Sequence, residues 1–178
     1  MGGLTTGVQL DINTLKKIFL ILFIGLSLNQ TACTRSSESG IQQILLSNKP
    51  PVGVVFEIAS DDDNGLSWAL PLVQSYAKQL RQKFTGIKLA MVFHGEEQFQ
   101  LTKDSSQYFP NTHKQVKSLI DDQGMDVHVC GNYAASYGVE EDDFADYIDV
   151  AGRGPARINA YENAGYVVLF IRQPEKGI

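Results

Sequence analysis

The amino-acid sequence predicts an α/β fold with three α/β/α layers, built around a mainly parallel, doubly wound sheet of about five strands. Short runs rich in Val, Ile and Phe show little alternation with polar residues, which is typical of strands covered on both faces. Segments with apolar residues at helical spacing separate these runs. Such a succession favours βαβ units and therefore parallel strand pairing.

The first two predicted strands occupy residues 52–58 and 87–93, and residues 66–84 between them carry apolar side chains at helical spacing. Pro71 indicates that the regular helix begins close to it, because proline suits a first turn and not a helix interior. Three aspartates, Asp61 to Asp63, precede this helix. We expect them to cap its N-terminus, and the alternative is that they hold a divalent cation.

The second half of the domain continues the alternation. The predicted elements are a helix at 113–122, a strand at 125–130, a short helix at 132–138, a turn at 140–144, a strand at 147–150, a helix at 155–163 and a strand at 166–171. Pro155 fits a first helical position, and Gly124 and Gly165 fit helix ends.

Composition limits the possible functions. The chain of 178 residues is long enough for one domain with a core of its own, and 15 basic against 20 acidic residues give a net charge of -5. No cluster of Lys and Arg is longer than a pair, so nucleic acid is not an expected partner. Two cysteines and three scattered histidines lack the spacing of a metal site, and we predict neither a metal nor a cofactor.

The N-terminal segment is typical of an export signal. Lys16 and Lys17 precede an apolar run at residues 18–28, and Thr31-Ala32 then lead to Cys33. The arrangement resembles a bacterial lipoprotein signal, which predicts a lipid on Cys33. Ordinary cleavage and an uncleaved anchor are the alternatives. The run is shorter than the roughly 20 residues of a full membrane span.

The sequence therefore predicts three regions: an export signal at 1–33, a flexible polar tether at 34–50 and the α/β domain at 51–178. A start codon placed too far upstream would account for residues 1–15. The expected location is the periplasm or the outer membrane, with membrane contact only through the N-terminal signal or its lipid.

Candidate site residues follow the predicted strands, because ligands of an open parallel sheet bind beyond the carboxyl ends of its strands. Cys130, Gly131 and Asn132 follow the third strand, and His94 and Gly95 follow the second. A helix beginning after Cys130 would stabilise its thiolate, and Gly131 permits a close backbone approach. The alternatives are that Cys130 is a small buried core residue and that His94 only caps its strand.

Two further segments allow weaker hypotheses. Gly152-Arg153-Gly154, with Arg157, is able to bind an anion at a helix N-terminus, although the rest of a dinucleotide fingerprint is missing. His128 has the same strand parity as Cys130 and is expected to pack in the core.

Several of these segments resemble the DsrE/DsrF-like family of sulfur-relay proteins, which have the YchN-like fold. The resemblance is carried by VVFEI, IKLAMVFHG, MDVHVCGNYAASYGV, YIDVAGRGPARI and NAGYVVLFI, over residues 51–172. It implies a five-stranded parallel fold that assembles into trimers or hexamers. It also implies that a cysteine, here Cys130, carries sulfur as a persulfide between a donor and an acceptor protein. His94 matches a histidine of many members, and the export signal departs from the cytoplasmic relay members.

Three hypotheses about function remain open at this point. The protein is a sulfur carrier that uses Cys130, a non-catalytic module that binds a small anionic or sulfur-containing ligand, or an oligomeric structural protein. An exposed thiol near His94 and a helix N-terminus favours the carrier, a buried thiol in a pocket favours the binding module, and the absence of a pocket favours the structural protein. Aromatic residues outside the strands support self-association, namely Tyr108, Phe109, Tyr133, Tyr137 and Phe144.

Overall fold

The computed structural model describes residues 37–174, together with Gly2. The predicted export signal and its Cys33 lie outside the described residues, apart from Gly2. Within 37–174 the chain forms a five-stranded sheet with helices on both faces, so the predicted fold class is confirmed.

All neighbouring strands of the sheet are parallel, in the order β4-β3-β2-β1-β5. The strands are β1 Gly53–Ile58, β2 Lys88–Phe93, β3 Asp126–Cys130, β4 Asp149–Ala151 and β5 Tyr166–Phe170. The apolar runs without alternation arise because β1, β2 and β3 are interior strands that are buried on both faces.

Helices cover the two faces of the sheet unequally. The helices are α1 Ser37–Leu45, α2 Leu66–Lys83, α3 Pro110–Asp121, α4 Gly131–Ala135 and α5 Gly154–Asn163. Within residues 37–174 the chain also forms 3-10 segments at Glu96–Leu101, Asp104–Gln107 and Glu141–Asp143. The main core lies between the sheet and α1, α2 and α3. On the opposite face, Ile158 of α5 packs in a smaller core with Val55, Ala90 and Val92.

The predicted flexible tether is wrong over residues 37–45, which form α1. Ile41 and Ile44 are buried in the main core, and their spacing places them on one face of the helix. The Ser37 hydroxyl accepts a hydrogen bond from the Arg172 backbone N–H (2.7 Å) and donates to the Phe170 carbonyl (3.2 Å). The Ser-rich composition concealed this packed helix, because most of its polar residues, namely Glu38, Ser39, Gln42 and Gln43, are exposed on the outer face.

The start of α2 also differs from the prediction, since the helix begins at Leu66 and contains Pro71 in its interior. Proline there lacks the N–H that would bond to the carbonyl four residues earlier. Leu66, Leu70 and Val73 are all buried around this turn, so tertiary packing maintains the helix despite the proline. No helix within residues 37–174 is both long and apolar enough to cross a membrane.

Candidate functional site

A cavity of about 240 Å³ lies at the carboxyl ends of β2 and β3. Its lining includes both predicted catalytic side chains, His94 and Cys130. The other lining residues are Asn132, Tyr133, Ser136, Arg153 and Pro155. The structure therefore brings together side chains that follow different strands, as expected for an open parallel sheet.

The Cys130 side chain lies at the N-terminus of α5. The residue is only 4% exposed, and its Sγ accepts a hydrogen bond from the Gly154 backbone N–H at 3.1 Å. The prediction that α4 supplies this donor is wrong, because the Cys130 side chain makes no cap hydrogen bond at the start of α4. The N–H groups that favour a sulfur anion belong to a helix from later in the chain.

Gly154 lets α5 approach the two strand ends closely. A Cβ atom at this position would lie 2.7 Å from the His94 Cβ and 3.2 Å from the Cys130 Cβ. The first distance is shorter than any ordinary contact between carbon atoms. Glycine is therefore required at this position for the Gly154 N–H to reach the sulfur.

The His94 ring is held by Glu57 of β1, whose side chain lies on the same face of the sheet as the His94 side chain. His94 Nε2 lies 3.0 Å from Glu57 Oε1, and the two side chains are 18% and 22% exposed. The His94 backbone N–H also donates to the Ile58 carbonyl at 3.0 Å. His94 thus caps its strand and presents a carboxylate-oriented imidazole to the cavity.

The three predicted ligand-binding residues occupy different positions. Asn132 lines the cavity, and its backbone N–H donates to the Gly152 carbonyl at 3.0 Å. Gly95 and Gly131 are not among the lining residues. A Cβ at Gly95 would lie 2.4 Å from the Ser60 carbonyl oxygen, so this glycine serves the close approach of two loops.

Family comparison identifies the chain. A model described as the DsrE/DsrF-like family matches residues 59–171, which is more than half of the sequence. The chain belongs to the DsrE/DsrF-like family. No curated protein matches it.

Solved structures agree with the fold of this DsrE-like domain. A protein of unknown function, MTH1491 from Methanobacterium thermoautotrophicum, has a TM-score of 0.52 and 21% identity, covering 66% of this chain and 96% of that chain. The ychN protein from E. coli has a TM-score of 0.50 and 14% identity, covering 67% and 98%. At these identities the similarity shows the shared fold alone.

The 3-10 segment Glu96–Leu101 contains buried polar side chains that hydrogen-bond to the elements around the DsrE-like site. The sequence did not reveal this role. Glu97 is fully buried, and its carboxylate accepts hydrogen bonds from the backbone N–H groups of Ser60 (2.7 Å) and Gly95 (3.1 Å). Burial raises the pKa of the Glu97 carboxyl, and the two backbone hydrogen bonds lower it in part. The side chain thereby ties the loop after β1 to the loop after β2.

Two glutamines of the same segment bond to other elements. Gln98 Oε1 accepts from the Cys130 N–H at 2.8 Å, and Gln100 Oε1 accepts from the Leu66 N–H at 2.9 Å. Gln100 therefore accepts a hydrogen bond from the N-terminus of α2, which is the capping role that was predicted for Asp61 to Asp63. The carboxylate of Asp62 instead bonds locally to the Asn64 N–H at 2.9 Å. Glutamine on its own carries no sequence signal for such a role, because it is usually exposed.

His128 is buried, as predicted, but it is also fully hydrogen-bonded. Its Nδ1 lies 2.5 Å from Asp149 Oδ2, and its Nε2 lies 2.8 Å from the Tyr161 hydroxyl. Burial lowers the pKa of His128, and the Asp149 carboxylate partly opposes this effect. Within residues 37–174, no group of three or more His, Cys, Asp and Glu side chains is arranged to hold a metal ion.

Proposed function

We propose that Cys130 accepts a sulfur atom as a persulfide and passes it on, so that this DsrE-like protein is a sulfur carrier. The observation that carries the proposal is the 3.1 Å hydrogen bond from the Gly154 N–H to the Cys130 Sγ, in the wall of a cavity. A backbone donor at a helix N-terminus stabilises a thiolate, which is the nucleophilic form of cysteine. Membership of the DsrE/DsrF-like family, for which sulfur relay is the expected function, also supports the transfer of sulfur through a cysteine.

The loading step is a displacement at sulfur by a small persulfide donor, R–S–SH. The Cys130 thiolate attacks the outer sulfur of the donor, a new S–S bond forms at Sγ, and the donor's S–S bond breaks. The thiolate R–S⁻ leaves and takes the electron pair of the broken bond. The outer sulfur keeps its oxidation state, so no separate oxidant or reductant is required.

The other lining residues have distinct roles in this proposal. Arg153 is exposed at the cavity and supplies a positive charge that attracts an anionic donor. His94, oriented by Glu57, offers an imidazole that can exchange a proton with the sulfur group that enters or leaves. Because Cys130 itself is buried, the cavity restricts access to donors small enough to enter it.

The proposal is tested by loading the full chain with glutathione persulfide and measuring its intact mass. In a Cys33→Ser background, the protein should gain the mass of one sulfur atom, whereas the same protein with Cys130→Ser added should gain none. Cyanide should then remove the added sulfur as thiocyanate. Equal sulfur uptake with and without Cys130→Ser, or no sulfur added in the Cys33→Ser background, would contradict the proposal.

The second candidate function is a binding module for a small anionic ligand. The burial of Cys130 favours it, since a covered thiol in a pocket was the feature expected of that alternative. Arg153 and the N-terminus of α5 suit a negative group. Loss of sulfite binding in Arg153→Gln, combined with a wild type that takes up no sulfur, would support this function in place of the carrier.

A further inference from the structure

A second pocket lies at the other end of α5 from the cysteine cavity. It has a volume of about 420 Å³ and lies where α5 ends and where β1, β2 and β5 begin. The lining residues are Val52, Lys88, Arg157, Ala160, Tyr161, Ala164 and Tyr166. The two cavities have no lining residue in common, so they are separate sites. The volume is within the range of pockets that bind small molecules.

Two aromatic rings form one side of this pocket. The ring centroids of Tyr161 and Tyr166 are 4.8 Å apart and tilted by 54°. The Tyr161 hydroxyl is directed to the His128 Nε2 at 2.8 Å, which fixes the ring. Ala160 on α5 and Ala164, the residue directly after the helix, lie one helical turn apart and leave room beside the rings. The pocket therefore offers a firm aromatic wall to a flat apolar group.

Two cations also line the pocket. Lys88 is exposed, and within residues 37–174 it takes part in none of the ion pairs of the structure. Arg157 is 40% exposed and lies 3.6 Å from Asp149, whose carboxylate is shared with His128. Much of the positive charge of both side chains is therefore available to a ligand. The pocket lining itself contains these two cations and no acidic side chain, and the nearby Asp126 lies outside the lining, with its carboxylate 3.4 Å from the Tyr161 hydroxyl.

We propose that this pocket binds a small aromatic anion, with Tyr161 and Tyr166 contacting its ring and Lys88 and Arg157 pairing with its negative group. Aromatic contact supplies the apolar part of the affinity, and the cations select for the charge. The site is independent of sulfur chemistry at Cys130, so it stands whether or not the proposed carrier function holds.

The test is a fluorescence titration of the full chain with anilinonaphthalene sulfonate, an aromatic anion whose emission rises on binding. Ala160→Leu fills the pocket from the exposed surface of α5, and Ala156→Leu makes the same exposed change one turn earlier. We expect a saturable site that is weakened at least tenfold by Ala160→Leu and unaffected by Ala156→Leu. Circular dichroism of both variants shows whether each keeps the wild-type fold.

The selectivity for charge is tested with Lys88→Gln and with neutral N-phenyl-naphthylamine. We expect Lys88→Gln to weaken the sulfonate roughly tenfold, because it removes a charge-assisted contact, and to leave the neutral probe unchanged. Equal sulfonate affinities for Ala160→Leu and Ala156→Leu would overturn the location of the site. Equal affinities of the sulfonate and the neutral probe, with no effect of Lys88→Gln, would overturn the class of ligand.

Discussion

Replacing Gly154 with alanine should reduce the reactivity of the Cys130 thiol. The new Cβ would lie 2.7 Å from the His94 Cβ and 3.2 Å from the Cys130 Cβ. Both neighbours are the first atoms of their side chains and cannot rotate away, so α5 has to move outward by about 1 Å to restore ordinary contact distances. That movement lengthens the 3.1 Å contact between the Gly154 N–H and the sulfur.

The size of the effect follows from the contact that is lost. A hydrogen bond to a charged group contributes about 1.5–3 kcal/mol, which corresponds to a reaction roughly ten- to a hundredfold slower. Overpacking should also lower the free energy of unfolding by about 1–3 kcal/mol. Gly152→Ala is the matched control, because a Cβ at Gly152 would meet no atom within 4 Å.

The assay is the rate of iodoacetamide alkylation at neutral pH, measured in a Cys33→Ser background so that only Cys130 reacts. Gly154→Ala should react more slowly than the parent, and Gly152→Ala should react at the parental rate. Unfolding of the variant would expose the thiol and speed up alkylation, so it cannot imitate the expected result. Equal rates for Gly154→Ala and Gly152→Ala would refute the role assigned to the N-terminus of α5.

Four further predictions follow from the sequence and the structure. We propose that Cys33 carries a lipid after export, so Cys33→Ser should remove the mass increment from the mature N-terminus, and an unmodified wild-type Cys33 contradicts this. We also propose that the mature protein self-associates, and sedimentation showing only a monomer at tens of micromolar would exclude it. Burial lowers the pKa of His113 in the folded protein, so His113 binds a proton at a higher pH in the unfolded chain than in the folded one. The urea midpoint of unfolding should therefore fall as the pH drops below about 6.5, the ordinary pKa of histidine. In His113→Gln this fall should be less steep. Gln100→Ala should lower the free energy of unfolding by about 1–3 kcal/mol in urea denaturation, because the Leu66 N–H loses its buried acceptor; an effect no larger than that of exposed Gln107→Ala would contradict this.

The fold was predictable because its signals are local. The three interior strands β1, β2 and β3 have apolar runs that show burial on both faces, and the long helices between strands have apolar residues at the 3.6-residue period. The strand-end rule then placed Cys130 and His94 at one edge of the sheet, and the structure has both in one cavity.

The parts that could not be predicted depend on contacts between distant segments. Gln98 and Gln100 bond to backbone groups that are 32 and 34 residues away in sequence, and Gly154 reaches Cys130 across 24 residues. Local composition carries no trace of such pairings. The position of Phe144 was also not predictable from local composition. It was predicted to be an interface aromatic, but it packs in the main core and is only 2% exposed.

The position of β5 has a consequence for the order in which the chain can fold. β1 lies between β2 and β5, and β5 is the last strand, so its pairing with β1 joins the two ends of the domain. During synthesis β1 keeps an open edge until the C-terminal residues emerge, and α1 also lacks its contacts to Phe170 and Arg172 until then. Such long-range closure slows folding. A chain shortened before β5 would leave one edge of the apolar strand β1 unpaired, which is a template for aggregation.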